Sequence, residues 1–299
     1  MAHGRGKVIL LGEHSVVYGK PALAAGLGRG VTATATWHEG DPELHCQPWD
    51  VTVHPGEDES LARAFAAVLK GYDARSVRVH CDVALPGGAG LGCSAALGVA
   101  VVGALDALYE VERTDEERGE VSLAWERVFH GNPSGVDNAM AACGGVAVFR
   151  RGAPLERVTP RTPLPLVIAH SGESSSTKEI VDHVRRQHDK DTARVGEIFD
   201  GIEALVRNAK LAVEAGDLKG LGQLMDMNQA LLAALMISTE RLETLCRVAR
   251  DTGALGAKLT GAGGGGCMIA LAPDLAVAES IENALKEHAS MTLIAEAGA

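Results

Sequence analysis

The chain has 299 residues, a formal net charge of −11, 46% hydrophobic residues and 22% charged ones. That is enough apolar material for a globular core, and the length suggests about two domains. The acidic balance argues against a nucleic-acid partner, which calls for a basic stripe, but leaves a small anionic ligand open, because a few local cations override a global sign.

Cysteines at 46, 81, 93, 143, 246 and 267 form no CxxC pair. Neither a zinc site nor a disulfide framework is expected, and reduced thiols in a cytoplasm are the default. The first apolar run ends at Glu13 and His14, too soon for a signal peptide. No stretch approaches the ~20 apolar residues of a membrane helix, so no membrane partner is expected.

In chain order, KVILL at 7–11 reads as a buried strand, and VTATATW at 31–37 has strand alternation. Residues 58–69 form a helix with Leu61, Phe65, Val68 and Leu69 on one face. The next strand, 77–85, places Val77, Val79, Cys81, Val83 and Leu85 on alternate positions and stops at Pro86. A glycine-rich turn then leads into a helix over 94–109, apolar on most sides and therefore central. The segment RRGAPLERVTPRTPLPL at 150–166 carries four prolines and breaks both periodicities, which marks a boundary between two halves. The second half reads as helices at 197–215, 217–236 and 239–251, with Gly216 as a stop and Asp217 as the next N-cap. Two short strands, AKLT and CMIALA, flank a second glycine cluster. A helix at 274–288 and a strand, MTLIAEA, complete the pattern.

The glycine-rich turn, PGGAGLGCSAALGVA at 86–100, runs from a strand into a helix. A helix N-terminus presents unbonded N–H groups and a positive dipole end, and glycine lets the backbone approach an anion closely. Taken alone, the turn is equally a ligand-free connection. It is not GxxxxGK[ST], and it is not GxGxxG with an acid near position +20, so Walker and dinucleotide folds are disfavoured. The second cluster, KLTGAGGGGCMIAL at 258–271, has a hairpin as its plain reading, but Gly263, Gly264, Gly265 and Gly266 exceed what a hairpin needs. Two such clusters suggest two walls on one ligand.

KVILLGEHSVVYGKPALA, PGGAGLGCSAA and KLTGAGGGGC together resemble the three motifs of the GHMP kinases, ATP-dependent kinases of small hydroxylated metabolites. The resemblance covers nearly the whole chain, in the family's order. GEHSVVYGKPALA differs from what galactokinase-type members carry after GEH. The resemblance implies an α+β, two-domain GHMP kinase fold with the active site in the cleft between the domains. An N-terminal domain over 1–160 would carry the phosphate loop, and a C-terminal domain over 161–299 the third motif. It also implies ATP as co-substrate, Mg²⁺ as cofactor and a homodimer as one oligomeric state open to the chain.

By the same resemblance, Pro86, Gly88, Gly90, Leu91, Gly92, Cys93 and Ser94 would wrap the ATP phosphates, joined by Gly261, Gly263 and Gly264 from the third motif. Ser94 and Glu126, in LAWERVFHG, would hold Mg²⁺; read locally, Ser94 is a helix N-cap and Glu126 a solvated helix residue. Asp137, in NPSGVDN, would be the catalytic base beside the attacking hydroxyl; its local reading is a first-turn carboxylate in a helix begun by Asn132 and Pro133. Lys7 would contact Asp137 and the transferring phosphate; its local reading is a surface lysine at a strand start. Glu13 and His14 would face the acceptor. Thr177, in SGESSSTKEIV, would do so too, or else belongs with Ser174 to an N-cap cluster before a helix over 178–188.

Two departures stand out. Gly4, Arg5 and Gly6 replace the family's Ala-Pro-Gly before Lys7. Cys93 replaces a serine, and at a helix N-terminus beside a phosphate its thiol is expected either to be acidified and reactive or to be a buried, inert filler. A ligand sensor of the same fold would be expected to have lost Asp137, Glu126 or Lys7, and all three are present.

Overall fold

The computed structural model describes the chain except for Pro48, Ala74, Arg75, Gly88, Asn132, Ser174, Ser175 and Ala299. It divides into two compact units: Met1–Lys7, Arg29–Gly87 and Gly92–Gly144 form the first, and Val8–Gly28, Gly88–Leu91 and Gly145–Ala299 the second. The mixed α and β content agrees with the expected class. The division differs from 1–160 and 161–299: residues 8–28 belong with the C-terminal half, and the later break follows Gly144, ahead of the proline-rich segment. Part of that segment is itself strand.

In the first unit, β1 (Ala2–Leu11) and β2 (Ala22–Trp37) pair with each other. Each continues into the second unit. The sheet proceeds through β3 (Glu43–Gln47), β4 (Val51–Val53) and, after helix α1 (Ser60–Leu69), β5 (Val77–Val83). Its order is β4-β3-β5-β2, with β3 and β5 parallel. Alternate residues of β5 are buried, as its period of two requires.

Helix α2 (Cys93–Tyr109) is the spine of this unit, buried almost all round from Cys93 to Asp106. Close approach is built in by glycine. A Cβ on Gly98 would lie 2.8 Å from the Trp125 ring, and one on Gly4 would lie 1.9 Å from the Ala96 carbonyl oxygen. The latter accounts for glycine where the family carries another residue before Lys7: here β1 lies directly on α2. Helix α3 (Asp115–His130) starts with a reciprocal Thr114–Glu117 capping box and three first-turn acids. Helix α4 (Val136–Cys143) follows a left-handed Gly135, so it begins later than the expected start at Pro133; Asn132 lies outside the described residues.

In the second unit, β6 (Val146–Phe149) pairs with the 22–25 stretch of β2 and with β7 (Glu156–Val158). Strand β8 (Leu164–His170) is flanked on both sides by antiparallel partners. Helices α5 (Thr177–Lys190), α6 (Thr192–Ala215), α7 (Leu218–Ala234) and α8 (Glu240–Asp251) come next. Asp191, Asp217 and Thr239 cap three of them through their side chains, and Gly216 ends α6 in a left-handed conformation. Strands β9 (Gly256–Leu259) and β10 (Cys267–Leu271), helix α9 (Leu275–Leu285) and β11 (Met291–Ala297) complete the order β9-β10-β8-β11. Among the described residues no helix is long and apolar enough to cross a membrane.

Candidate active site

In the first unit the N-terminus of α2 is preceded by Gly92 at φ 73°, which brings no side chain to cap it. Ser94 is therefore not the cap; it is the second residue of the helix. A Cβ on Gly92 would sit 3.0 Å from Lys7 Cγ, so the missing side chain is also what lets the lysine stem run past the helix start. The stem is buried, with the side chain 4% exposed, and Nζ lies 3.2 Å from Asp137 Oδ1. Asp137 stands in the first turn of α4 and remains one-third exposed. A buried cation thus meets a carboxylate that keeps an open side.

Ser94 Oγ donates to Glu126 Oε2 at 2.8 Å. Glu126 is buried to 2% exposure on α3, not the solvated residue of its local reading. Its other oxygen lies 3.1 Å from His130 Nε2, one turn on. The neighbouring Glu126 carboxylate raises the His130 pKa, against the opposing effect of burial, and the charges of Asp137 and Lys7 also act on it. His130 was missed in the sequence; its i, i+4 spacing from Glu126 within ERVFH was the available signal. A carboxylate and a hydroxyl side by side are oxygen donors of the kind Mg²⁺ takes, and Mg²⁺ is commonly held by one or two protein groups together with substrate phosphates. The residues present fit that ion.

In the second unit the turn after β1 carries Glu13 and His14, followed by a 3-10 turn over Ser15–Tyr18. Its partner is the third motif. Thr260 Oγ1 accepts from Ile9 N at 3.0 Å and donates to Ile9 O at 3.2 Å. Lys258 pairs with Glu13, and His14 Nε2 lies 2.8 Å from the Ala262 carbonyl. Alternate residues 258, 260 and 262 thus grip 13, 9 and 14, which is why residues 8–28 fold with the C-terminal half. Burial lowers the His14 pKa and favours the neutral ring.

The two glycine clusters come together within this unit. A Cβ on Gly261 would be 3.8 Å from the Gly90 carbonyl, and one on Gly90 would be 4.0 Å from the Thr260 carbonyl. Gly261, Gly263, Gly264, Gly265 and Gly266 all have positive φ, and a Cβ on Gly263 would lie 2.5 Å from the Ile237 oxygen.

Several expected roles change. Glu13 is fully enclosed: Lys258 and Asn228 occupy its two oxygens, so its carboxylate does not face an acceptor. The role of Leu91 does not change: its side chain is a core residue, and the backbone N–H was the group expected to meet a ligand. Gly264 donates its N–H to Ile237 O at 2.7 Å, so that donor is already used. Burial pushes the Cys93 thiol up to about 11, with Cys46 and Glu126 adding in the same sense, which favours the buried, inert filler over the acidified thiol. Thr177 is the exposed first residue of α5, after Ser176. Pro86 is half-buried ahead of the loop, while Gly88 and Ser174 lie outside the described residues.

Comparison with known proteins places the chain in a family. The family model for the GHMP kinases N terminal domain matches residues 59–145, and that for the GHMP kinases C terminal matches 196–290. A mevalonate kinase of Thermococcus sibiricus is 36% identical, over 92% of this chain and 89% of that protein. One of Aeropyrum pernix is 35% identical, over 100% of this chain and 97% of its own. The crystal structure of L. major mevalonate kinase in complex with R-mevalonate superposes with a TM-score of 0.90 at 31% identity, covering 99% of this chain and 94% of that one. The chain belongs to the GHMP kinase family, in its mevalonate kinase group.

Proposed function

We propose that this chain transfers the γ-phosphate of ATP to the 5-hydroxyl of (R)-mevalonate, giving 5-phosphomevalonate and ADP for isoprenoid synthesis. The observation that carries the reading is the Lys7–Asp137 pair beside the uncapped start of α2. Phosphoryl transfer is mostly positioning and charge neutralisation, and each part has a candidate. Backbone N–H groups of Gly90, Leu91, Gly92, Cys93 and Ser94 cradle phosphate oxygens at the helix start. Gly261 lies beside Gly90 in the same unit. Ser94 and Glu126 would hold Mg²⁺, which would neutralise phosphate charge when bound; His130 steadies the second oxygen of Glu126.

Asp137 accepts a hydrogen bond from the acceptor hydroxyl and orients it. As the new O–P bond forms and the bond to the β–γ bridging oxygen breaks, the hydroxyl proton passes to Asp137 late in a loose transition state. Lys7 stabilises the equatorial oxygens of the moving phosphoryl group. The turn at His14, neutral and anchored, recognises the acceptor, with Thr177 at the start of α5 as a second contact. The setting proposed is the cytoplasm.

The test is ADP release with MgATP and a panel of acceptors. Turnover with mevalonate, and none above background with galactose, homoserine or 5-phosphomevalonate, is the expected result. Turnover with another panel member instead of mevalonate would keep the ATP side and overturn the acceptor.

A further inference from the structure

Lys258 and Glu13 form an ion pair in which both side chains are wholly buried. Neither group is free to touch a ligand. The three ammonium protons of Lys258 are taken by Glu13 and by the carbonyls of Ile9 and Leu259. Glu13 Oε2 accepts from Asn228 Nδ2 at 3.1 Å, and Asn228 on α7 is itself fully buried, its Oδ1 unpartnered. Desolvation of two charges is costly, and apolar side chains of similar volume often serve stability as well or better. The pair therefore needs a purpose other than stability.

The purpose lies one residue on. His14 has φ 60° and ψ −47°, a γ-turn closed by Ser15 N donating to Glu13 O at 2.7 Å, and a positive φ of this kind is one that a side chain adopts only under constraint. It follows Gly12 at φ 112°, where a Cβ would lie 2.5 Å from Ala22 Cα. Two anchors hold the turn: the Glu13 carboxylate, fixed on Lys258, and the His14 ring, fixed on Ala262 O. Both attach to the same run of the third motif. We propose that Lys258 is a positioning residue, which through its ion pair with Glu13 holds the strained turn at His14 in the shape that recognises the acceptor alcohol. The proposal rests on the kinase reading and deepens it. Glu13 becomes a strut, and the third motif sets acceptor affinity from behind the turn.

The test is the double variant Glu13→Gln/Lys258→Met, which removes both charges and keeps an amide for Asn228. The expected result is a melting temperature within a few degrees of wild type, because no buried charge is left alone. The KM for the acceptor rises on the order of tenfold, more than kcat falls, while the KM for MgATP stays within about twofold. An unchanged acceptor KM, or equal rises for both substrates, would overturn the proposal, since a merely structural pair would act that way. Should the double variant not fold, Asn228→Leu keeps the ion pair and removes one donor from Glu13. An acceptor KM raised severalfold with MgATP unaffected is then expected, and an unchanged one overturns the proposal. The acceptor is (R)-mevalonate, or whichever panel alcohol the wild type phosphorylates, so failure of the acceptor assignment changes the substrate and not the comparison.

Discussion

Asp137→Asn lowers kcat by at least about a hundredfold and leaves a folded protein that still binds MgATP. The amide keeps the shape and can still meet Lys7, whose Nζ lies 3.2 Å from the carboxylate, but it cannot take a proton. The one-third exposure of Asp137 means that substitution disturbs little packing. The loss therefore falls on turnover. Steady-state kinetics with a nucleotide-binding titration separates the two effects. Near wild-type kcat would remove Asp137 from the reaction, whereas lost MgATP binding would make it part of the nucleotide site instead.

Lys258→Met alone destabilises the protein by about 3–5 kcal/mol, because the Glu13 carboxyl is left in the interior without its counter-charge. Burial already raises the Glu13 pKa and lowers that of Lys258, each opposed by the partner's charge. Without Lys258 the carboxyl takes up a proton on folding, which costs free energy at neutral pH and less as pH falls. The melting temperature drops by roughly 10 °C at pH 7, with a smaller deficit at pH 5. Thermal unfolding at the two pH values checks both parts. A drop that is the same at both would mean that the stranded carboxyl is not the cause.

Much of the site was legible because each motif carries local physics. The helix over 94–109 was expected from its unbroken apolar run, and the structure begins it at Cys93 with the same burial. Lys7 and Asp137, 130 positions apart in sequence, were joined only by the family resemblance; nothing local in KVILL predicts the contact. Three features were not legible. Glu13 was set beside the acceptor by the family resemblance alone; its buried partner, Lys258, is distant in sequence. Cys93 left an acidified and an inert reading open, because a sequence shows the helix start but not the 7% exposure that favours the inert one. The division at 8–28 escaped because composition marks the proline-rich segment, whereas the grip of residues 258, 260 and 262 on that stretch is purely tertiary.

The most direct measurement is the phosphorus NMR spectrum of the product formed from (R)-mevalonate and MgATP by the wild-type chain. A phosphate ester on the primary C5 alcohol has two protons on the adjoining carbon, so the proton-coupled signal is a triplet alongside those of ADP, and that is the predicted spectrum. A singlet, as an ester on the tertiary C3 alcohol would give, or ADP with no new monoester, would contradict the account.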